Sequence, residues 1–120
     1  VYADCLHYNG ITLVELAGKV EGISMVDLVH GSIYNSKYGL KIQSNPPTTQ
    51  AVNQLEMAVE FFLQHGVRMI VMGCTEIPSA FTGQKARVRY NSNGQRVVFI
   101  DPSEITARVA INLLDPSGWK

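Results

Sequence analysis

The stretch Val67-Arg68-Met69-Ile70-Val71-Met72-Gly73-Cys74-Thr75-Glu76-Ile77-Pro78 carries the strongest fold signal in the chain. Its first six residues are apolar except for Arg68, and they follow a helix-like segment that ends at His65-Gly66. A short, continuous apolar run in that position is typical of a buried parallel strand. Ligands of open parallel sheets bind beyond the carboxyl ends of the strands, so Cys74 falls where a ligand site is expected.

Strand-like and helix-like segments alternate on both sides of this stretch. Two helix starts carry capping residues, Ser24 with Asp27 three residues later, and Thr48 or Thr49 ahead of a broad apolar face. The pattern predicts the end of a helix at 1–8, a strand at 11–16, helices at 24–38 and 50–65, a strand at 67–72, hairpin strands at 87–90 and 96–100, and a helix begun by Asp101-Pro102 and ended by Asp115-Pro116. This alternation predicts an α/β fold in which helices flank a parallel sheet.

Length and composition restrict the classes of function. The chain has 120 residues, 46% of them hydrophobic, with ten Lys and Arg against ten Asp and Glu, which fits one globular domain. A neutral chain without a basic block lacks the footprint of a nucleic-acid or anionic-membrane binder, and no apolar run approaches the roughly 20 residues that span a bilayer. Two cysteines cannot form a multi-disulfide scaffold or a four-thiolate zinc site, and the three histidines lack ligand spacing. We therefore expect a cytoplasmic domain without a nucleic-acid, membrane or metal partner.

Chemistry is concentrated at Cys74. A helix after the strand would direct free N–H groups and its dipole at the thiol, which favours the thiolate. Gly73 would let the backbone approach a ligand closely, and the Thr75 hydroxyl is a donor suited to a carboxylate. The alternative, a small buried hydrophobic cysteine, stays open at this point.

Residues 72–78, Met-Gly-Cys-Thr-Glu-Ile-Pro, resemble the second cysteine motif of the aspartate/glutamate racemase superfamily. Ile33-Tyr34, with Lys37 following, is similar to the helix-end segment before that motif in aspartate racemase-like members. The segment 50–66 matches the helix that leads into the cysteine strand. Phe99-Ile100-Asp101-Pro102-Ser103-Glu104-Ile105 resembles the closing strand and helix, so the likeness extends over nearly the whole chain.

The resemblance implies a cofactor-independent amino-acid racemase of two α/β lobes, each of which contributes one cysteine to a cleft. One thiolate removes the α-proton, and the opposite thiol reprotonates the other face of the substrate. Carried over by motif, Cys74 is the implied catalytic acid or base and Thr75 a substrate-carboxylate ligand. Glu76 is grouped with the substrate-binding residues, and Lys37 matches a lysine implied to bind a side-chain carboxylate. The expected ligand is aspartate, glutamate or a related amino acid or dicarboxylate.

The chain departs from the family pattern at the first cysteine. That residue belongs to a separate Asn/Thr-containing motif of the N-terminal lobe, which no segment here matches, and Cys5 on a helix face favours a core role. We therefore interpret residues 1–95 as a second-lobe segment and 96–120 as the closing strand and helix. The N-terminal lobe is then a missing partner. The chain alone is expected to be inactive, unless a homodimer pairs two Cys74 residues.

Other functions remain open at this stage. A decarboxylase, a maleate-type isomerase or a hydantoin racemase of the same superfamily would use cysteines in a comparable cleft. A non-catalytic module that binds a small carboxylate or a partner subunit is the alternative from a different class.

Overall fold

Helices and short strands alternate in the structure, a computed structural model that describes residues 2–82 and 88–114. In chain order the elements are α1 (Tyr2–Tyr8), β1 (Lys19–Val20), β2 (Ile23–Ser24), α2 (Met25–Tyr34), α3 (Thr49–Gln64), β3 (Met69–Val71), a 3-10 helix (Ile77–Phe81), β4 (Arg89–Tyr90), β5 (Arg96–Ile100) and α4 (Pro102–Leu114). The predicted α/β class is confirmed.

The larger sheet is mixed, with β5 in its centre. β3 runs parallel to β5, with Met69 opposite Val98, whereas β4 pairs with β5 antiparallel, with Arg89 opposite Val97. The predicted parallel sheet is therefore matched only by the β3–β5 pair. β1 and β2 form a separate antiparallel pair.

The core lies where α2 and α3 pack against each other and against the 3-10 helix. Both helices begin at the predicted caps, since the Ser24 and Thr48 side chains accept hydrogen bonds from the backbone N–H groups of Asp27 and Ala51. One cluster of buried residues joins α3 to the loop after α2 and to the 3-10 helix; it consists of Leu40, Ala51, Val52, Leu55 and Ala80. A second cluster packs α2 on α3 and consists of Met25, Leu28 and Ala58. The broad apolar face predicted after Thr48 or Thr49 is thus found in α3, where Val52, Leu55 and Ala58 are buried.

Two predicted elements are wrong, one in its existence and one in its length. Residues 11–16 form no strand, since none of the described strands pairs with them and an unpaired strand leaves its backbone groups without partners. The helix predicted to continue to residue 38 ends at Tyr34. Asn35 then accepts the Lys37 N–H with its side-chain oxygen at 2.9 Å, which turns the chain away from the helix.

Two further elements are more exposed than a flanked parallel sheet predicts. β3 has three residues at the edge of its sheet, and Met69 keeps 48% of its surface exposed. No residue of α4 is buried, and its apolar side chains Ile105, Val109 and Leu113 face solvent in the described structure.

Some predicted boundaries lie outside the described residues. These are Val1, Arg87 at the start of the first hairpin strand, and the Asp115-Pro116 stop after α4. None of the described helices is long and apolar enough to cross a membrane.

Candidate active site around Cys74

Cys74 lies in the turn that follows β3. The Met72 N–H donates to the Ile100 carbonyl at 2.8 Å, which extends the parallel pairing one residue beyond Val71. The Cys74 carbonyl then accepts the Ile77 N–H at 3.1 Å, and this bond starts the 3-10 helix. The predicted position just past a parallel strand is confirmed for Cys74, which is half-buried there.

The carboxylate of Glu76 collects three side-chain donors. Its Oε2 accepts the Cys74 thiol at 3.0 Å and the Thr75 hydroxyl at 2.8 Å. Its Oε1 accepts the Lys41 ammonium at 2.5 Å. We call Lys41, Cys74, Thr75 and Glu76 the Glu76 cluster. It puts a nucleophilic sulfur, a carboxylate, a hydroxyl and a cation within one hydrogen-bonded group.

Lys41 reaches the cluster because the chain folds back after α2. The N–H groups of Leu40 and Lys41 donate to the carbonyls of Ser32 and Ile33 at 2.8 and 2.9 Å. Gly39 permits this close return, since a Cβ atom there would lie 2.6–2.7 Å from backbone atoms of Asn35 and Ile33. Leu40 is 1% exposed and anchors the loop in the core.

The Glu76 carboxylate and the Lys41 ammonium each stabilise the charged form of the other. The hydrogen bonds from Cys74, Lys41 and Thr75 lower the pKa of Glu76 from 4.5 to about 2. The hydrogen bond to Glu76 raises the pKa of Lys41. At neutral pH the cluster therefore holds an ionised carboxylate against an ammonium, and the thiol is the remaining group that can exchange a proton.

The Cys74 thiol is not activated in the way the sequence suggests. Burial raises its pKa above the ordinary value of 9.0, and the hydrogen bond to the ionised Glu76 raises it further. The helix after Cys74 is a five-residue 3-10 helix that begins three residues later, at Ile77, so it does not supply the α-helical dipole expected from the sequence. The backbone N–H of Glu76 favours the thiolate, but it is outweighed. The resting side chain is a protonated thiol.

The residues implied by the resemblance separate into two groups. Cys74, Thr75 and Glu76 are in direct contact, whereas none of the side-chain hydrogen bonds described for that cluster involves Lys37, an exposed residue of the turn after α2. The lysine that the structure brings to Glu76 is Lys41, which sequence reasoning missed. In the sequence Lys41 is marked by nothing more than its place directly after the apolar Leu40. That position does not specify a contact with a residue 35 positions later.

The second cysteine is placed differently. Cys5 is exposed on α1, where Asn9 donates to its carbonyl oxygen and lies 4.0 Å from its sulfur. The core role predicted for Cys5 is therefore wrong, because α1 leaves this face open to solvent. Across residues 2–82 and 88–114, no group of three or more His, Cys, Asp or Glu side chains is arranged to hold a metal ion.

Comparisons with protein-family models, with curated proteins and with solved structures gave no significant match.

Proposed function

We propose that this chain supplies one half of the active site of a cofactor-independent amino-acid racemase, with Cys74 as one of its two proton-transfer groups. The observation that carries the proposal is the hydrogen bond from Cys74 Sγ to Glu76 Oε2 at 3.0 Å, directly after a parallel strand. The substrate class is an acidic amino acid, aspartate, glutamate or a close relative. The motif of residues 72–78 and the donor groups around Cys74 support this assignment.

The state of the thiol fits the acid half of such a reaction. Inversion of a stereocentre requires a base on one face and an acid on the other. A protonated Cys74 donates its proton to the carbanion-like α-carbon, forms the new C–H bond and becomes a thiolate. The backbone N–H of Glu76 and the charge of Lys41 stabilise that thiolate, since both lower the pKa of Cys74. In the reverse direction the thiolate takes the α-proton back.

The hydrogen-bond donors of the Glu76 cluster are suited to an acidic substrate. Thr75 and Lys41 are donors of the kind that bind a carboxylate, and here both bind the carboxylate of Glu76. A substrate carboxylate would share these donors with Glu76. Groups that donate hydrogen bonds to the substrate carboxylate matter for this chemistry. Without a cofactor that takes up electrons, they stabilise the negative charge that develops in the transition state.

In this proposal the opposing thiol belongs to the N-terminal lobe. Cys5 is exposed on α1 and its side-chain partner is Asn9, directly after the same helix, so we assign it no part in proton transfer. We therefore expect this chain alone not to invert aspartate or glutamate. Here the expected two-lobe architecture, with residues 1–95 from the second lobe and 96–120 closing the fold, is part of the proposal.

Binding is tested first, by protection of the thiol. In a Cys5→Ser background, Cys74 is alkylated with iodoacetamide in the presence of L-aspartate, D-aspartate, L-glutamate or L-leucine. The acidic amino acids are expected to slow alkylation and leucine is not, and Thr75→Val is expected to weaken the protection. If no amino acid changes the rate, the proposal is wrong.

Catalysis is tested with L-aspartate in heavy water, following α-deuteration by NMR and optical inversion by chiral chromatography. We expect no inversion by this chain. Inversion that disappears in Cys74→Ser would show that the chain carries a complete site, including one formed by two Cys74 residues across a homodimer, and would contradict the two-lobe account.

A non-catalytic carboxylate-binding module is the second candidate. It is favoured by the raised pKa of Cys74, since an unactivated thiol beside carboxylate donors suits binding as well as acid catalysis. The reading frame upstream of Val1 separates the two. An Asn/Thr motif with a cysteine there supports the racemase, and a start codon directly before Val1 supports the module.

A further inference from the structure

The two oxygens of the Glu76 carboxylate have different partners. Oε2 accepts from two neighbours in the same turn, Cys74 and Thr75, at 3.0 and 2.8 Å. Oε1 accepts from Lys41, which lies 35 residues earlier in the chain. A carboxylate is planar, so a bond that holds one oxygen also restricts where the other can point.

The backbones that carry Lys41 and Glu76 are fixed by the same core. Leu40, next to Lys41, is 1% exposed and packs in one cluster with Ala80, which is also 1% exposed and lies four residues after Glu76. Leu55 of α3 belongs to the same cluster, and Ile77 packs against it. The distance between the two loops is therefore set by packing, and the Lys41–Glu76 bond forms on a rigid frame.

We propose that Lys41 is a positioning residue, whose bond to Oε1 keeps Oε2 of Glu76 on the Cys74 thiol. The assignment rests on the proposed function for the role of Cys74 in proton transfer, although the contacts themselves do not depend on it. This role differs from the one implied for Lys37, which is to bind a substrate carboxylate, and it belongs to a lysine that only the tertiary structure brings to the turn.

Loss of Lys41 is predicted to change the pKa of Cys74 in the direction opposite to the one expected from loss of a cation alone. The charged or titratable groups that act on the thiol are Glu76 and Lys41, and Tyr34 at the end of α2 acts in turn on Lys41. Loss of a nearby cation by itself raises the pKa of a thiol. If Lys41 holds Glu76 in place, its loss instead releases the carboxylate that raises the pKa of Cys74, and the thiol becomes more acidic.

The test is the pH profile of Cys74 alkylation in the Cys5→Ser background, followed by mass spectrometry from pH 6 to 11. Lys41→Met is expected to move the midpoint to lower pH and to raise the rate at pH 7.5 by roughly threefold or more, since the thiolate is the reactive form. Lys41→Arg is expected to restore the parent profile, because its guanidinium can bind Oε1. Lys19→Met, which removes an exposed lysine on β1, is the matched control and should leave the profile unchanged.

A second comparison separates positioning from simple electrostatics. In Glu76→Gln the carboxylate is already absent, so adding Lys41→Met should produce no further fall of the midpoint. A midpoint in Lys41→Met that is unchanged or higher than in the parent overturns the proposal. Lys41→Gln repeats the measurement if urea unfolding shows that Lys41→Met is not folded.

Failure of the proposed function gives a different result. That failure is the absence of protection by any amino acid in the parent chain, whatever the alkylation profile of Lys41→Met. Protection in the parent together with an unchanged Lys41→Met profile rejects only the role of Lys41.

Discussion

The Cys74 thiol donates a hydrogen bond to Glu76, with Sγ 3.0 Å from Oε2, and the two residues belong to a single turn after β3. An ionised acceptor at this distance stabilises the protonated thiol, as does the partial burial of the side chain. The site therefore rests with its proton on sulfur and its negative charge on carboxylate. This state differs from the activated thiolate that the sequence suggests, and it determines the first two predictions.

Glu76→Gln is expected to lower the pKa of Cys74. The parent thiol should titrate above 9.0, and the variant should titrate lower because the negative acceptor is gone while the backbone N–H of residue 76 remains. The measurement is the pH dependence of iodoacetamide alkylation with Cys5 replaced by Ser. Glu60→Gln, at an exposed position of α3, is the control for loss of a negative charge. A midpoint that rises in Glu76→Gln would contradict the hydrogen-bond account.

Glu76 is also expected to make stability dependent on acid pH. Its pKa is about 2 in the folded chain and 4.5 ordinarily, so the folded state favours the ionised form. The resulting stabilisation is fully present above about pH 4.5 and is lost as the pH falls toward 2. Urea unfolding at several values between pH 6 and pH 2.5 should show a smaller loss of stability in Glu76→Gln than in the parent. Parallel curves for the two proteins would show that the carboxylate has no folded-state partner.

Gly39→Ala is expected to destabilise the chain by about 1–3 kcal/mol, the usual range for overpacking. The new Cβ would lie 2.6–2.7 Å from the Asn35 nitrogen and from carbonyl oxygens of Asn35 and Ile33, all backbone atoms that cannot move independently. Urea unfolding measures the loss. Gly31→Ala is the control, since its Cβ would meet only the Tyr38 hydroxyl, at 3.1 Å, and alanine favours the helix. Equal stability of the two variants would argue against the close return after α2.

Asn91→Ala is expected to destabilise the chain by about 1–3 kcal/mol, because it removes a buried side chain that supplies hydrogen-bond partners to four backbone groups. The Asn91 amide is 6% exposed and donates to the carbonyls of Gly66 and Val67 at 3.0 and 2.9 Å, while its oxygen accepts the N–H groups of Asn93 and Gln95. Ser92→Ala, one residue further in the exposed turn, should change stability by less than about 0.5 kcal/mol. A neutral Asn91→Ala would mean that the turn does not depend on this side chain.

Local signals in the sequence predicted the fold where a residue and its partner lie close in the chain. Ser24 and Thr48 cap α2 and α3 through N–H groups three residues away, and β4 and β5 pair as the predicted hairpin. The segment 11–16 has the composition of a strand but remains irregular, because pairing depends on a neighbour that local sequence does not specify. Asn91 illustrates both cases. The hairpin that contains it was predicted from the sequence, whereas its hydrogen bonds to the α3–β3 loop were not.

By itself the sequence determined the α/β class, the position of Cys74 just past a parallel strand, and the adjacency of Cys74, Thr75 and Glu76. These features follow from apolar periodicity, helix caps and covalent neighbourhood, which act over a few residues. Only the tertiary structure decided that Lys41 binds Glu76 and that the thiol stays protonated. The reason is that burial and charge–charge contact depend on distances in space, and the packing of Leu40 against Ala80 sets those distances between loops far apart in the chain.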